Sequence, residues 1–166
     1  RFYRNYLDSY GIENPSHALE AQYKIAQFYK GQNKRQYERE VDKIIEIFDD
    51  VIVAGKEPGA VGRHYAAESA FRDVEEAYQD VVDDPLTKDE AKDAVLLNET
   101  KPEELLHFED LAMNFTKKYK DFEYSTLALY YRGMTYLYLA DLGLDLEPTP
   151  KFYRFEEKGI HLLVEL

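Results

Sequence analysis

The sequence predicts an all-α chain built of antiparallel helix pairs. Three observations lead there. Glycine (8) and proline (6) are sparse while tyrosine (15) and phenylalanine (9) are abundant, a balance that favours long helices with aromatic cores over many short strands. Apolar residues recur at three- and four-residue spacing over long stretches. Two such stretches, ending at Lys30 and beginning at Lys34, are separated by only a few residues, so the helices they form must fold back on each other.

The elements run in order from the first residue. "RFYRNYLDSYG" reads as the tail of a helix that stops at Gly11, as expected of a segment cut from a longer protein. In "GIENPS", Asn14 can cap the next helix and Pro15 occupies its first position, where a missing N–H costs nothing. That helix reaches about Lys30, with Gly31 as its stop. Its core, "ALEAQYKIAQFY", holds too many apolar residues for one buried stripe and calls for two buried faces. From about Lys34 to Ala54, Tyr37, Val41, Ile44, Ile45, Phe48, Val51 and Ile52 keep helical spacing, and Gly55 ends the run.

After "GKEPGAVG", read as a loop, Ala67, Ala70, Phe71, Val74, Ala77, Tyr78, Val81 and Val82 mark a third long helix that stops before Pro85. Thr87 with Glu90, and Thr100 with Glu103, match the capping-box pattern, in which the Thr accepts from a free backbone N–H and the Glu reaches back. The stretch to residue 119 admits two readings: helices at about 88–98 and 101–119, or one helix kinked near Pro102. A further helix covers about Glu123 to Leu142, and "EPTP" introduces the last, from about Lys151 to Val164. The resulting hairpins are 14–55, 60–119 and 123–165 in a single helical domain.

Charge and composition bound the function. Acidic residues outnumber basic ones 33 to 21, a net charge of −12 that repels phosphate backbones and speaks against nucleic acid as partner. No cysteine occurs, which removes disulfides and thiolate metal sites and leaves the compartment open. No apolar run is long enough to span a bilayer, so direct membrane insertion is not expected.

Three helices carry a small residue with a partner three positions on: Ala26 with Tyr29, Ala67 with Ala70, and Gly133 with Tyr136. Where two helices cross closely, a side chain larger than Ala or Gly would hold the backbones apart. An ordinary bundle and a stack of hairpins both satisfy this spacing.

"ALEAQYKIAQFY" and "STLALYYRGMTYLYLA" resemble first helices of tetratricopeptide repeats. The wider arrangement, through "RHYAAESAF" and "PTPKFYRFEEKGIHLL", is similar to divergent repeat regions of large delta-proteobacterial solenoid proteins, some associated with gliding motility and the cell envelope. Departures from the family are plain: Ala26 and Ala67 are 41 residues apart, Ala67 and Gly133 are 66 apart, and the expected Trp is absent. The resemblance implies a right-handed α-α superhelix whose first helices line a concave groove for a peptide or partner domain. It also implies a location in the periplasm or cell envelope. Groove positions in such repeats lie three before and one after the small residue. Here they are Tyr23 and Gln27, His64 and Glu68, and Tyr130 and Met134, with Tyr138 one turn further.

Motifs for catalysis are sparse. Of the four histidines, none opens an H-E-x-x-H zinc signature, and Glu104 with His107 supplies one E-x-x-H fragment of a bundle di-iron site whose other half is missing. Phosphate loops and nucleophile elbows are absent. "KKYK" at 117–120 ends a helix, where it complements the dipole. The expectation is a non-catalytic interaction scaffold without cofactor or metal, holding a protein or peptide with a cationic segment. A helical-bundle metal protein or enzyme, and an architectural spacer, are the alternatives.

Overall fold

The computed structural model describes residues 1–83, 85–87, 89–146 and 150–166, with the side chains of 144–146 left aside. All regular structure among the described residues is helical. The chain divides into two compact units, Arg1–Phe71 with Tyr119–Asp121, and Arg72–Lys118 with Phe122–Leu166.

The first unit contains α1 (Phe2–Tyr10), α2 (Pro15–Tyr29), α3 (Lys34–Val53) and the residues of α4 (Gly59–Val82) up to Phe71. Asn14 caps α2 by accepting from the His17 N–H at 3.3 Å, with Pro15 in the first turn. Asn33 does the same for α3 through the Gln36 N–H at 3.0 Å. Gly31 (φ 77°) and Gly55 (φ 67°) follow α2 and α3 in the left-handed region that a side chain would disfavour. Joined by a tight turn, α2 and α3 pack along their length as an antiparallel hairpin.

Leu19, Ile44, Phe48 and Val51 are fully buried in this unit, and the Tyr119 ring lies 5.0 Å from that of Phe48. Ile52 stays exposed, although its spacing fits the apolar stripe. Ala18, Leu19, Ala21, Ile25 and Ala26 are buried on α2, whereas Phe28 is 64% exposed, so the apolar surplus of this helix is only partly absorbed.

"GKEPGAVG" is not a loop throughout: α4 begins at Gly59 and runs through Gly62. A methyl group at Gly62 would lie 2.8 Å from Leu19 Cδ1 and 3.3 Å from Ser16 Cα. Close approach to the start of α2 therefore explains a glycine that costs a helix interior about 1 kcal/mol.

A buried carboxylate ties α1, α2 and α3 together. Glu40 accepts from Gln22 Nε2 (2.9 Å), Gln36 Nε2 (2.6 Å), Lys43 Nζ (3.1 Å) and Arg4 Nη2 (3.3 Å). Burial by itself pushes this carboxyl's pKa up, but the hydrogen bonds from Gln22, Lys43 and Gln36 and the Lys43 charge outweigh it and hold the pKa below the ordinary 4.5.

The second unit takes the rest of α4, then α5 (Glu90–Val95), a wide π turn (Leu96–Thr100), α6 (Lys101–Tyr119, through Lys118), α7 (Phe122–Leu146) and α8 (Pro150–Val164). The chain is helical without a break from Glu90 to Tyr119, which decides for the single distorted helix. The Lys101 N–H bonds back five residues to the Leu96 carbonyl, just before Pro102, which has no N–H to give. Thr100 and Glu103 consequently lie inside this run and start no helix. The box at Thr87 and Glu90 is also corrected. Asp89 caps α5 through the Lys92 N–H, while the Thr87 N–H and hydroxyl both donate to buried Asp93 at 2.8 Å. The expected start near Lys88 and the "EPT" turn lie outside the described residues.

Lys117 and Lys118 occupy the last turn of α6, as the dipole favours. Lys101 is buried, its Nζ donating to the Asp80 carbonyl (3.0 Å) and Glu104 Oε2 (2.9 Å). Antiparallel α7 and α8 touch at glycines. A methyl at Gly133 would meet Leu163 at 2.7 Å, one at Gly159 would lie 2.9 Å from the Gly133 carbonyl oxygen, and one at Gly143 would strike the Phe152 ring.

Gly159→Ala should destabilise the protein by about 1–2 kcal/mol despite the ~1 kcal/mol gained in helix propensity, because a carbonyl cannot step aside. Gly133→Ala should cost less, since Leu163 can rotate; urea unfolding of both variants checks the order.

Glu40→Gln should lower stability by about 1–3 kcal/mol at neutral pH. A depressed carboxyl pKa adds stability that is present above 4.5 and lost as pH falls through the folded value. The gap between parent and variant should therefore close on acidification, as read from unfolding midpoints across pH.

Candidate functional site

The seven positions selected from the sequence divide between the units. In the first, α2 carries Tyr23 and Gln27 and α4 carries His64 and Glu68, each pair one turn apart on its helix. The two helices meet in a definite order: Gly59 lies against Ser16, Gly62 against Leu19, and Tyr65 and Glu68 against Tyr23. Contacts advance in the same direction along both, so α2 and α4 run parallel side by side.

Tyr23 is brought to Glu68, donating its hydroxyl to Oε1 at 3.0 Å, and its ring stacks on Tyr65 with centroids 4.1 Å apart and planes 15° from parallel. His64 instead meets Asp121, Nδ1 to Oδ2, at 3.2 Å. Gln27 is half-buried one turn beyond Tyr23. Tyr65 and Asp121 escaped the sequence reading. Tyr65 follows His64 directly and is found only by knowing which neighbour faces Tyr23, and Asp121 is distant in sequence.

In the second unit Tyr130, Met134 and Tyr138 repeat every fourth residue along α7. Tyr130 is exposed and the other two are half-buried. The better-ordered neighbour is Tyr131, whose ring stacks on Tyr78 at 4.3 Å and 9° and whose hydroxyl donates to Glu75 at 3.3 Å. Burial first, then the Glu75 charge and hydrogen bond, push the Tyr131 phenol above its ordinary value, so it remains a neutral donor. Behind it, Arg132 holds Glu109 through two hydrogen bonds, 3.1 and 2.8 Å, the paired geometry suited to guanidinium and carboxylate.

No family model, curated protein or solved structure matches this chain. The chemistry open to the two faces is set by their own side chains. The first presents half-buried carboxylates, Glu68 and Asp121, beside stacked phenol rings, a combination that receives cationic side chains through charge and ring faces alike.

The E-x-x-H fragment is otherwise engaged: Glu104 holds the buried Lys101 ammonium, and His107 faces solvent. Among the described residues no group of three or more His, Cys, Asp or Glu is placed to hold a metal ion, and no helix is long and apolar enough to cross a membrane.

Tyr23→Phe should cost about 1 kcal/mol, the net worth of one hydrogen bond. Tyr23→Ala should cost about 2–4 kcal/mol by also removing the stacked ring. The difference in urea unfolding between the two separates the hydroxyl from the ring.

Proposed function

We propose that this chain is a non-catalytic protein-interaction scaffold of tetratricopeptide-like type, whose first helices hold a protein or peptide partner bearing a cationic segment. The parallel packing of α2 against α4 carries the reading. In a stack of hairpins, the first helix of each pair lies beside the first helix of the next, and their shared face forms the binding surface. Tyr23, stacked on Tyr65 and bonded to Glu68, is held in place before any partner arrives, so little side-chain entropy remains to be lost on binding. The surplus of carboxylates selects a basic partner and speeds its encounter. The resemblance to solenoid proteins adds a role in a bacterial envelope or motility assembly to the proposal.

Affinity capture from native extract, followed by binding kinetics with the recovered partner, tests this. Raising ionic strength from about 0.05 to about 0.5 M should slow association about tenfold while dissociation changes little. Tyr23→Phe and Tyr130→Ala should weaken capture, whereas a spacer would lose nothing.

A further inference from the structure

His64 sits among the carboxylates of the α2–α4 face. It lies one turn before Glu68 on α4, so the two side chains stand on the same side of that helix. Its Nδ1 meets Asp121 Oδ2 at 3.2 Å, and Glu68 is bound in turn by the Tyr23 hydroxyl at 3.0 Å. The imidazole is 36% exposed and the Asp121 carboxylate 11%, so the ring exchanges protons with solvent while its partner is largely shielded.

The other groups of the first unit around His64 are engaged in holding the turn that carries Asp121. Arg63, the residue before His64, donates to the Tyr119 carbonyl oxygen at 3.2 Å and to Glu57 at 3.1 Å. Tyr119 is buried against Phe48, and Lys120 follows it with φ 51°. Asp121 is thus kept beside α4 by contacts that do not involve the imidazole. The Tyr65 ring, 6.2 Å from that of His64, carries no charge to oppose a proton there.

Imidazole is the side chain whose charge ordinarily changes between about pH 5 and pH 8. Facing an ionised carboxylate, a neutral His64 donates through Nδ1 and leaves the negative charges of Asp121 and Glu68 to an incoming cation. A protonated His64 places a positive charge against the first and one turn from the second, offsetting both and repelling that cation. Given the binding role proposed for this face, we infer that His64 is its pH gate: a basic segment is held while the imidazole is neutral and released when it gains a proton.

Fluorescence anisotropy in about 0.15 M salt, where charges more than about 8 Å away are screened, tests the gate. The probe is a labelled, end-blocked peptide of phenylalanine between pairs of lysines. Its affinity should fall about fivefold between about pH 7.5 and about pH 5.5, a range in which lysines and ordinary carboxylates keep their charge. His64→Gln should keep the tight affinity at both pH values and His64→Lys the weak one, while His17→Gln, altered at an exposed position on α2, should titrate like the parent. All three variants should retain the parental helical circular dichroism. An affinity independent of pH, tighter binding in acid, or a fall that persists in His64→Gln would overturn the gate and leave the binding role of the face standing. No binding at millimolar peptide at either pH, or binding unaffected by Glu68→Gln, would overturn both.

Discussion

Helix backbones that touch are the constraint on which each unit depends. In the first, Gly62 lets α4 settle against Ser16 and Leu19 at the start of α2. Tyr65 and Glu68, one and nearly two turns further on, then fall opposite Tyr23. In the second, Gly133 and Gly159 bring α7 and α8 together with the carbonyl of one against the Cα of the other. Residues without side chains at these points fix both the separation and the register of the helices, and register decides which polar groups meet. The stacking of Tyr65 on Tyr23 therefore follows from a glycine one turn earlier on α4.

Buried charge supplies a second kind of specification. Glu40, Asp93 and Lys101 are almost fully removed from water, and each is met by donors or acceptors that satisfy it. Such groups contribute modestly to net stability but strongly disfavour wrong arrangements, since any shift that strands one of them costs several kcal/mol. Glu40 does this for α1, α2 and α3 at once. Lys101 does it between α4 and the start of α6, next to the wide turn where the helical ladder is already irregular.

The first unit carries two unlike surfaces. One holds carboxylates beside stacked phenols on α2 and α4; the other leaves aromatic rings exposed at the end of α1 and α2. Both use the same helix, with Tyr23 on one surface and Lys24 on the other, as the 100° step between consecutive helical residues requires.

Helix existence, the turns after α1, α2 and α3, the Asn14 cap and the close contact at Gly133 were legible in the sequence, because capping, glycine stops and three-to-four periodicity are local physics that a few adjacent residues determine; the close contacts at Gly62, Gly143 and Gly159 were not. Ala26, Ala67 and Gly133 are indeed buried. The tertiary structure decided what depends on distant partners. It drew Gly59–Gly62 into a helix against α2, moved the cap from Thr87 to Asp89, buried Lys101 and left Phe28 in solvent. It also turned His64 toward Asp121 and chose Tyr131 over Tyr130 for the stacked pair. In each case the outcome is set by which helix approaches and how closely, and no pattern confined to one helix contains that distance.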